Sequence, residues 1–164
     1  MKYKAKEEKI VFKTWLFFDI YSEFQYSNID ELLTCDIIHL SAGNPIEFRN
    51  AIEKRNMKKV LCDYYNQGRN IVGVSGEAVQ LGKSIKLFQM FIGDKEEELE
   101  ALQLVDFEFL PHYNRWNKEY IKDVYNYAEA TRTTIYVANH GDGLIVEDNN
   151  IQMVGDIVVI NGPK

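Results

Sequence analysis

Short apolar runs alternate along the chain with longer stretches whose apolar residues recur three or four positions apart. The short runs cover residues 16–21 (LFFDIY), 36–40 (DIIHL), 70–74 (NIVGV), 87–91, 107–110, 133–138 and 156–160. Each is too short for an ordinary helix and reads as a strand. Helical spacing covers 44–55, 58–66, 77–81 and 117–130, the last through Tyr120, Ile121, Val124, Tyr127 and Ala128. Asn44 followed by Pro45 is a strong helix start: the Asn side chain takes free N–H groups of the first turn, and proline has none to leave unpaired. Ser27 and Asp30 read as a variant capping box opening a short helix through Leu33, and Gly68 as the stop of the 58–66 helix. Asp148-Asn149-Asn150, between 144–147 and 151–154, reads as the turn of a hairpin. Residues 94–100 are acidic and expected at the surface, and residues 1–15 read as a helix or a loose arm. Strands alternating with helices imply an α/β fold with a parallel sheet covered on both faces, and the hairpin suggests a mixed edge. With no repeat and no Pro/Gly-rich linker, residues 1–164 are expected to form a single domain.

Composition narrows the partners. A formal net charge of -6 and a pI near 5.1 oppose a nucleic-acid footprint or an anionic membrane surface. No apolar run approaches the ~18 residues of a membrane span, and Met1 to Lys9 lacks the apolar core of a signal peptide. Cys35 and Cys62 are not spaced as metal ligands and are expected as reduced thiols of a cytoplasmic protein.

In open α/β sheets, chemistry collects beyond the carboxyl ends of the strands. Four loops qualify: Ser41-Ala42-Gly43-Asn44, Ser75-Gly76-Glu77, His112-Tyr113-Asn114 and Asn139-His140-Gly141-Asp142. Together they hold a hydroxyl, an imidazole and an acid, in the chain order of a hydrolytic triad. Gly73-Val74-Ser75-Gly76 runs from strand to helix. It reads either as a nucleophile elbow, with the Gly76 amide aimed at an oxyanion, or as a helix capped by Ser75. His112 is either the base that takes the serine proton or a surface histidine. Tyr113 and Asn114 could anchor it or bind substrate. The 41–44 loop could present backbone amides to an oxyanion, or simply turn the chain into a helix. His39, expected inside the core, makes a metal triad with His112 and His140 unconvincing; neither metal nor cofactor is expected.

These same strings resemble the aspartyl dipeptidase (peptidase E) and cyanophycinase-like serine peptidases of the class I glutamine amidotransferase-like superfamily. Residues 36–44 resemble that family's strand and Gly-Gly-Gly-Asn-Thr loop, and 73–78 its Gly-x-Ser-Ala-Gly elbow. Leu110-Pro111-His112-Tyr113-Asn114 is close to its Pro-His-Tyr-Asn segment, and 135–155 resembles its last strand, acid loop and hairpin. The order agrees over about residues 16–160. The resemblance implies a flavodoxin-like three-layer fold and hydrolysis of small peptides through an acyl-enzyme on Ser75. It implies His112 as general base and then acid, with amides near Ala42, Gly43 and Gly76 as the oxyanion hole. Asn44, Tyr113 and Asn114 would line the substrate side. Four differences stand out. Glu77 replaces a glycine of the elbow. Ser41-Ala42-Gly43 replaces three glycines. His140 falls near the family's acid, with Asp142 two residues on. Finally, only about 15 residues precede LFFDIY, where the family has a strand-helix-strand region. A homodimer covering the exposed edge is one expectation from the last point. A catalytically impaired homologue acting as a binding or regulatory module is the alternative to an active peptidase. A cysteine-based enzyme is disfavoured, because no Cys occupies the elbow.

Overall fold

The computed structural model describes residues 14, 16–21, 24–41, 43–94, 99–148 and 150–162. The expected N-terminal arm and residues 95–98 of the acidic run thus lie outside the described residues, apart from Thr14. The helices are α1 (Ile29–Leu32), α2 (Pro45–Lys54), α3 (Met57–Asn66), α4 (Gly76–Val79), α5 (Lys86–Phe91) and α6 (Lys118–Thr131). The strands are β1 (Ile37–Leu40), β2 (Asn70–Gly73), β3 (Glu108–Leu110), β4 (Ile135–Val137), β5 (Gly143–Glu147), β6 (Asn150–Val154) and β7 (Val158–Ile160).

The chain is α/β with parallel pairing. β1 lies parallel to β2, with Ile37 opposite Asn70 and Leu40 opposite Gly73. β3 lies parallel to β4, with Glu108 opposite Ile135. Among the described residues the hydrogen-bonded strands fall into three sheets. β5 and β6 form the expected hairpin, but as a separate two-stranded sheet. The antiparallel edge of the β3–β4 sheet is supplied instead by β7, paired to β4.

Among the described residues the apolar side chains form, besides a small third core of Val79, Ile85 and Ala101, two large ones. One packs Ile38 and Leu40 of β1 against Phe48 and Ile52 of α2 and Met57, Leu61 and Tyr64 of α3. The other packs Leu110, Ile135, Val137 and Ile160 of the three-stranded sheet against Tyr120, Val124 and Ala128 of α6. Helix α2 begins as expected: the Asn44 side chain accepts from Ile46 N at 2.9 Å and Glu47 N at 3.3 Å. Helix α3 ends at Asn66, ahead of Gly68 at φ 77°.

Several expectations are corrected. Residues 16–21 form no strand: Asp19 Oδ1 accepts from Tyr21 N at 2.7 Å and bends the segment. Ile20 is buried while Phe17 is 89% exposed, so this run is not buried as a whole. Residues 87–91 form helix α5, with Leu87 and Met90, three apart, facing the second core. A five-residue apolar run cannot distinguish the two periods. The start of α1 is not a capping box: a 3₁₀ turn, Tyr26–Asn28, leads in, and Asn28 makes no side-chain cap. His39 is exposed, not core, because its face of β1 is uncovered; Val72, opposite it on β2, is exposed as well.

Helix α4 supplies Val79 to the small third core and touches β2, β3 and α2. Its approach to β2 leaves no room at Gly73, where a Cβ would fall 2.6 Å from Ala78 Cα. Gly73→Ala is expected to destabilise the protein by about 1–3 kcal/mol through forced backbone movement. Gly143→Ala, where a Cβ would meet nothing within 4 Å, should stay within about 0.5 kcal/mol. Urea unfolding of the two variants tests this; equal midpoints would show that the turn yields freely.

Candidate active site

β2 ends at Gly73, and three residues later Gly76 opens α4. The chain reverses by placing Ser75 at φ 57°, ψ −120°, outside the regions open to most L-residues. The turn is held by Glu77 N donating to Val74 O at 3.2 Å and Ala78 N to Ser75 O at 3.2 Å. Small residues are obligatory on its inner side. A Cβ at Gly76 would lie 2.9 Å from Pro45 Cγ and 3.0 Å from Gly43 O. The 43–45 loop therefore abuts the elbow directly. Gly76 N belongs to the first turn of α4, whose N–H groups the helix itself leaves unpaired.

From the other core, β3 leads through Leu110 and Pro111 to His112, held at φ 64°. Two bonds fix this loop to the end of β4: Tyr113 N donates to Ala138 O at 3.0 Å, and Asn114 N to Asn139 Oδ1 at 3.1 Å. The half-buried His112 imidazole then meets Ser75, with Nε2 2.7 Å from Oγ. Burial, then the positive charges of Arg115 and His140, push the His112 pKa below its ordinary 6.5. At neutral pH the ring is thus uncharged and able to accept a proton. If Nε2 accepts from the serine, Nδ1 carries the ring proton, and Nδ1 is buried with no hydrogen-bond partner among the described residues.

Neither residue expected at the third triad position fills that gap. Asp142 Oδ2 accepts from Asn139 N at 3.0 Å, closing its own loop. Its Oδ1 lies against Gly155, where a Cβ would fall 2.0 Å away. His140 is exposed and acts on His112 only through its charge.

The expected oxyanion loop is also differently employed. Gly43 N donates at 2.7 Å to Oε2 of Glu77, whose side chain is fully buried. Burial raises the Glu77 pKa above its ordinary 4.5, although hydrogen bonds from its own backbone and from Gly43 partly oppose this. Ala42 lies outside the described residues. Asn44 spends its side-chain oxygen capping α2. Tyr113 packs half-buried against the second core and Asn114 is exposed.

Sequence reading missed three contributors. Gln80, one turn beyond Glu77, is fully buried and donates to Pro45 O at 2.7 Å, so α4 grips the 43–45 loop twice. Two polar residues three apart on a buried helix were the available signal. Tyr21 brings its phenol close to Gly43 and Glu77, from a segment read as a strand. Asn139 ties the loops after β3 and β4 together; its place at a strand end was the only hint. No group of three or more His, Cys, Asp or Glu among the described residues could hold a metal ion. No helix among them is long and apolar enough to cross a membrane.

The sequence model of peptidase family S51 matches residues 3–154. The chain belongs to peptidase family S51. It is 27% identical over 122 residues to "Uncharacterized peptidase Lin0382" of Listeria innocua, covering 71% of this chain and 57% of that protein. It is also 27% identical over 110 residues to "Uncharacterized peptidase Lmo0363" of Listeria monocytogenes, covering 64% and 54%. The S51 chain therefore spans little more than half the length of these relatives. A crystal structure from Listeria monocytogenes EGD-e, of a "Putative Peptidase E Protein", shares the fold. It superposes with a TM-score of 0.63 at 22% identity, over 87% of this chain and 68% of that one.

The raised Glu77 pKa has a thermodynamic sign. The fold favours its protonated form, so its contribution to stability is whole below the unfolded pKa and is lost as pH rises through the folded one. The Tm of Glu77→Gln minus that of the unaltered protein should therefore grow from about pH 4 to about pH 8. A difference that stays constant with pH would mean that Glu77 titrates as if unfolded.

Proposed function

We propose that this chain is a serine-type hydrolase of small peptides, with Ser75 as nucleophile and His112 as base. The observation that carries the reading is the 2.7 Å approach of Ser75 Oγ to His112 Nε2 across the two halves of the molecule. Membership of a peptidase family supports it. The downshifted imidazole is neutral when it must accept the Oγ proton. Oγ then bonds to the peptide carbonyl carbon, and the carbonyl oxygen takes up the negative charge. Collapse breaks the C–N bond, and His112 returns its proton to the departing amine. Water, deprotonated by the same nitrogen, hydrolyses the ester on Ser75. The Gly76 amide at the start of α4 is suited to the oxyanion.

A second reading is a catalytically impaired homologue that binds peptides or regulates a partner. Two specific observations favour it: Glu77 holds the Gly43 amide, and His112 Nδ1 has no acceptor among the described residues.

A fluorophosphonate probe with adduct mapping separates the two. On the hydrolytic reading Ser75 is labelled, Ser75→Ala abolishes labelling, and His112→Ala slows it by about 10²-fold or more. Folded protein that leaves Ser75 unlabelled at every pH and after removal of the Glu77 side chain would favour the impaired homologue. Cleavage of short Asp-containing peptides is the follow-up assay.

A further inference from the structure

Glu77 is placed oddly for a structural residue. It is fully excluded from solvent, yet Oε1 has no hydrogen-bond partner among the described residues. Oε2 instead takes the N–H of Gly43 at 2.7 Å, in the loop that abuts the elbow. A carboxyl oxygen of Glu77, two residues along from Ser75, thus sits on a backbone amide of the adjoining loop, as an acyl oxygen in an oxyanion site would. No lysine or arginine among the described residues pairs with it. Its titratable neighbour is the Tyr21 phenol, itself influenced by Glu47 on α2 and by Asp19. Among the described residues its surroundings thus contribute acids and a phenol, with no compensating cation.

Resting on the hydrolytic reading of Ser75 and His112, we propose that Glu77 is a protonation-controlled stopper of the oxyanion site. Ionised, it keeps the Gly43 N–H and excludes the substrate's carbonyl oxygen. Protonated, it releases that donor, because a hydrogen bond to a neutral acid is about half as strong as one to a carboxylate. The groups facing His112 are Ser75, Arg115 and His140. Burial pushes Glu77 up from 4.5 and His112 down from 6.5, so the two titrations approach one another. The working state needs both groups uncharged, which gives a bell-shaped dependence. Its alkaline limb belongs to Glu77 and its acid limb to His112.

The test is the rate of Ser75 labelling by a fluorophosphonate against pH, for the unaltered protein, Glu77→Gln and Glu77→Ala. The unaltered protein should lose rate by about tenfold per pH unit on the alkaline limb. Glu77→Gln should keep the acid limb and show a plateau instead of the decline, and Glu77→Ala should react faster at alkaline pH. Identical profiles for all three would overturn the proposal. The Gly43 amide proton, followed by NMR in unlabelled protein, gives a reading independent of reactivity. It should shift with a single titration that Glu77→Gln abolishes. If that titration is seen while no variant labels, the Ser75 reading fails and the Glu77–Gly43 switch stands. If the amide does not titrate, the switch itself is overturned.

Discussion

The closeness of β2 to α4 governs the rest of the molecule. Position 73 admits no side chain, because the next helix begins almost in contact with it. That tight reversal lifts Ser75 off the strand and sends α4 toward β3 and toward the loop before α2. Once α4 is there, Glu77 and Gln80 fasten it to Gly43 and Pro45. A looser turn would leave the two sheets without a defined relation, and Ser75 would have no reason to meet His112.

The buried polar groups are distributed accordingly. Among the described residues, Glu77, Gln80, Ser84, Gln89 and Glu108 fall between residues 77 and 108, and Thr133 alone lies outside that stretch. Glu108 Oε1 accepts from Ser84 N at 3.1 Å and Ser84 Oγ at 3.2 Å, and Leu99 N donates to Gln89 Oε1 at 3.1 Å. Apolar contacts are non-directional and would tolerate sliding of one core over the other. Hydrogen bonds with fixed partners do not, so the polar seam sets the register between the halves.

Much of this was legible in the residues, where the signal is local. Asn44-Pro45 announced α2, the period of Tyr120, Val124 and Ala128 announced α6, and the small residues about Ser75 announced the elbow. Other features depend on what packs where. Residues 16–21 have the composition of a strand, but Asp19 bends them. Residues 87–91 became a helix because Tyr120, donating to Leu87 O at 2.6 Å, and the second core receive them in that form. Whether His39 is covered depends on a layer no local pattern encodes. Glu77 stands out in the sequence as a departure from the family pattern, but only the fold turns its carboxyl group onto Gly43. Asp142, read as a triad acid, sits near the right place in the chain and is claimed by its own loop.

Ser75 and His112 both occupy positive φ, at 57° and 64°, although neither is glycine. Such conformations cost of order 1–3 kcal/mol each. Either position would fold more comfortably with a residue that lacks a β-carbon. Thermal robustness and the hydroxyl–imidazole pair thus pull in opposite directions at the same two sites. Asn56, Gln103, Arg132 and Asp148 share the strain, but only at Ser75 and His112 would relieving it with glycine remove a hydroxyl or an imidazole from the pair.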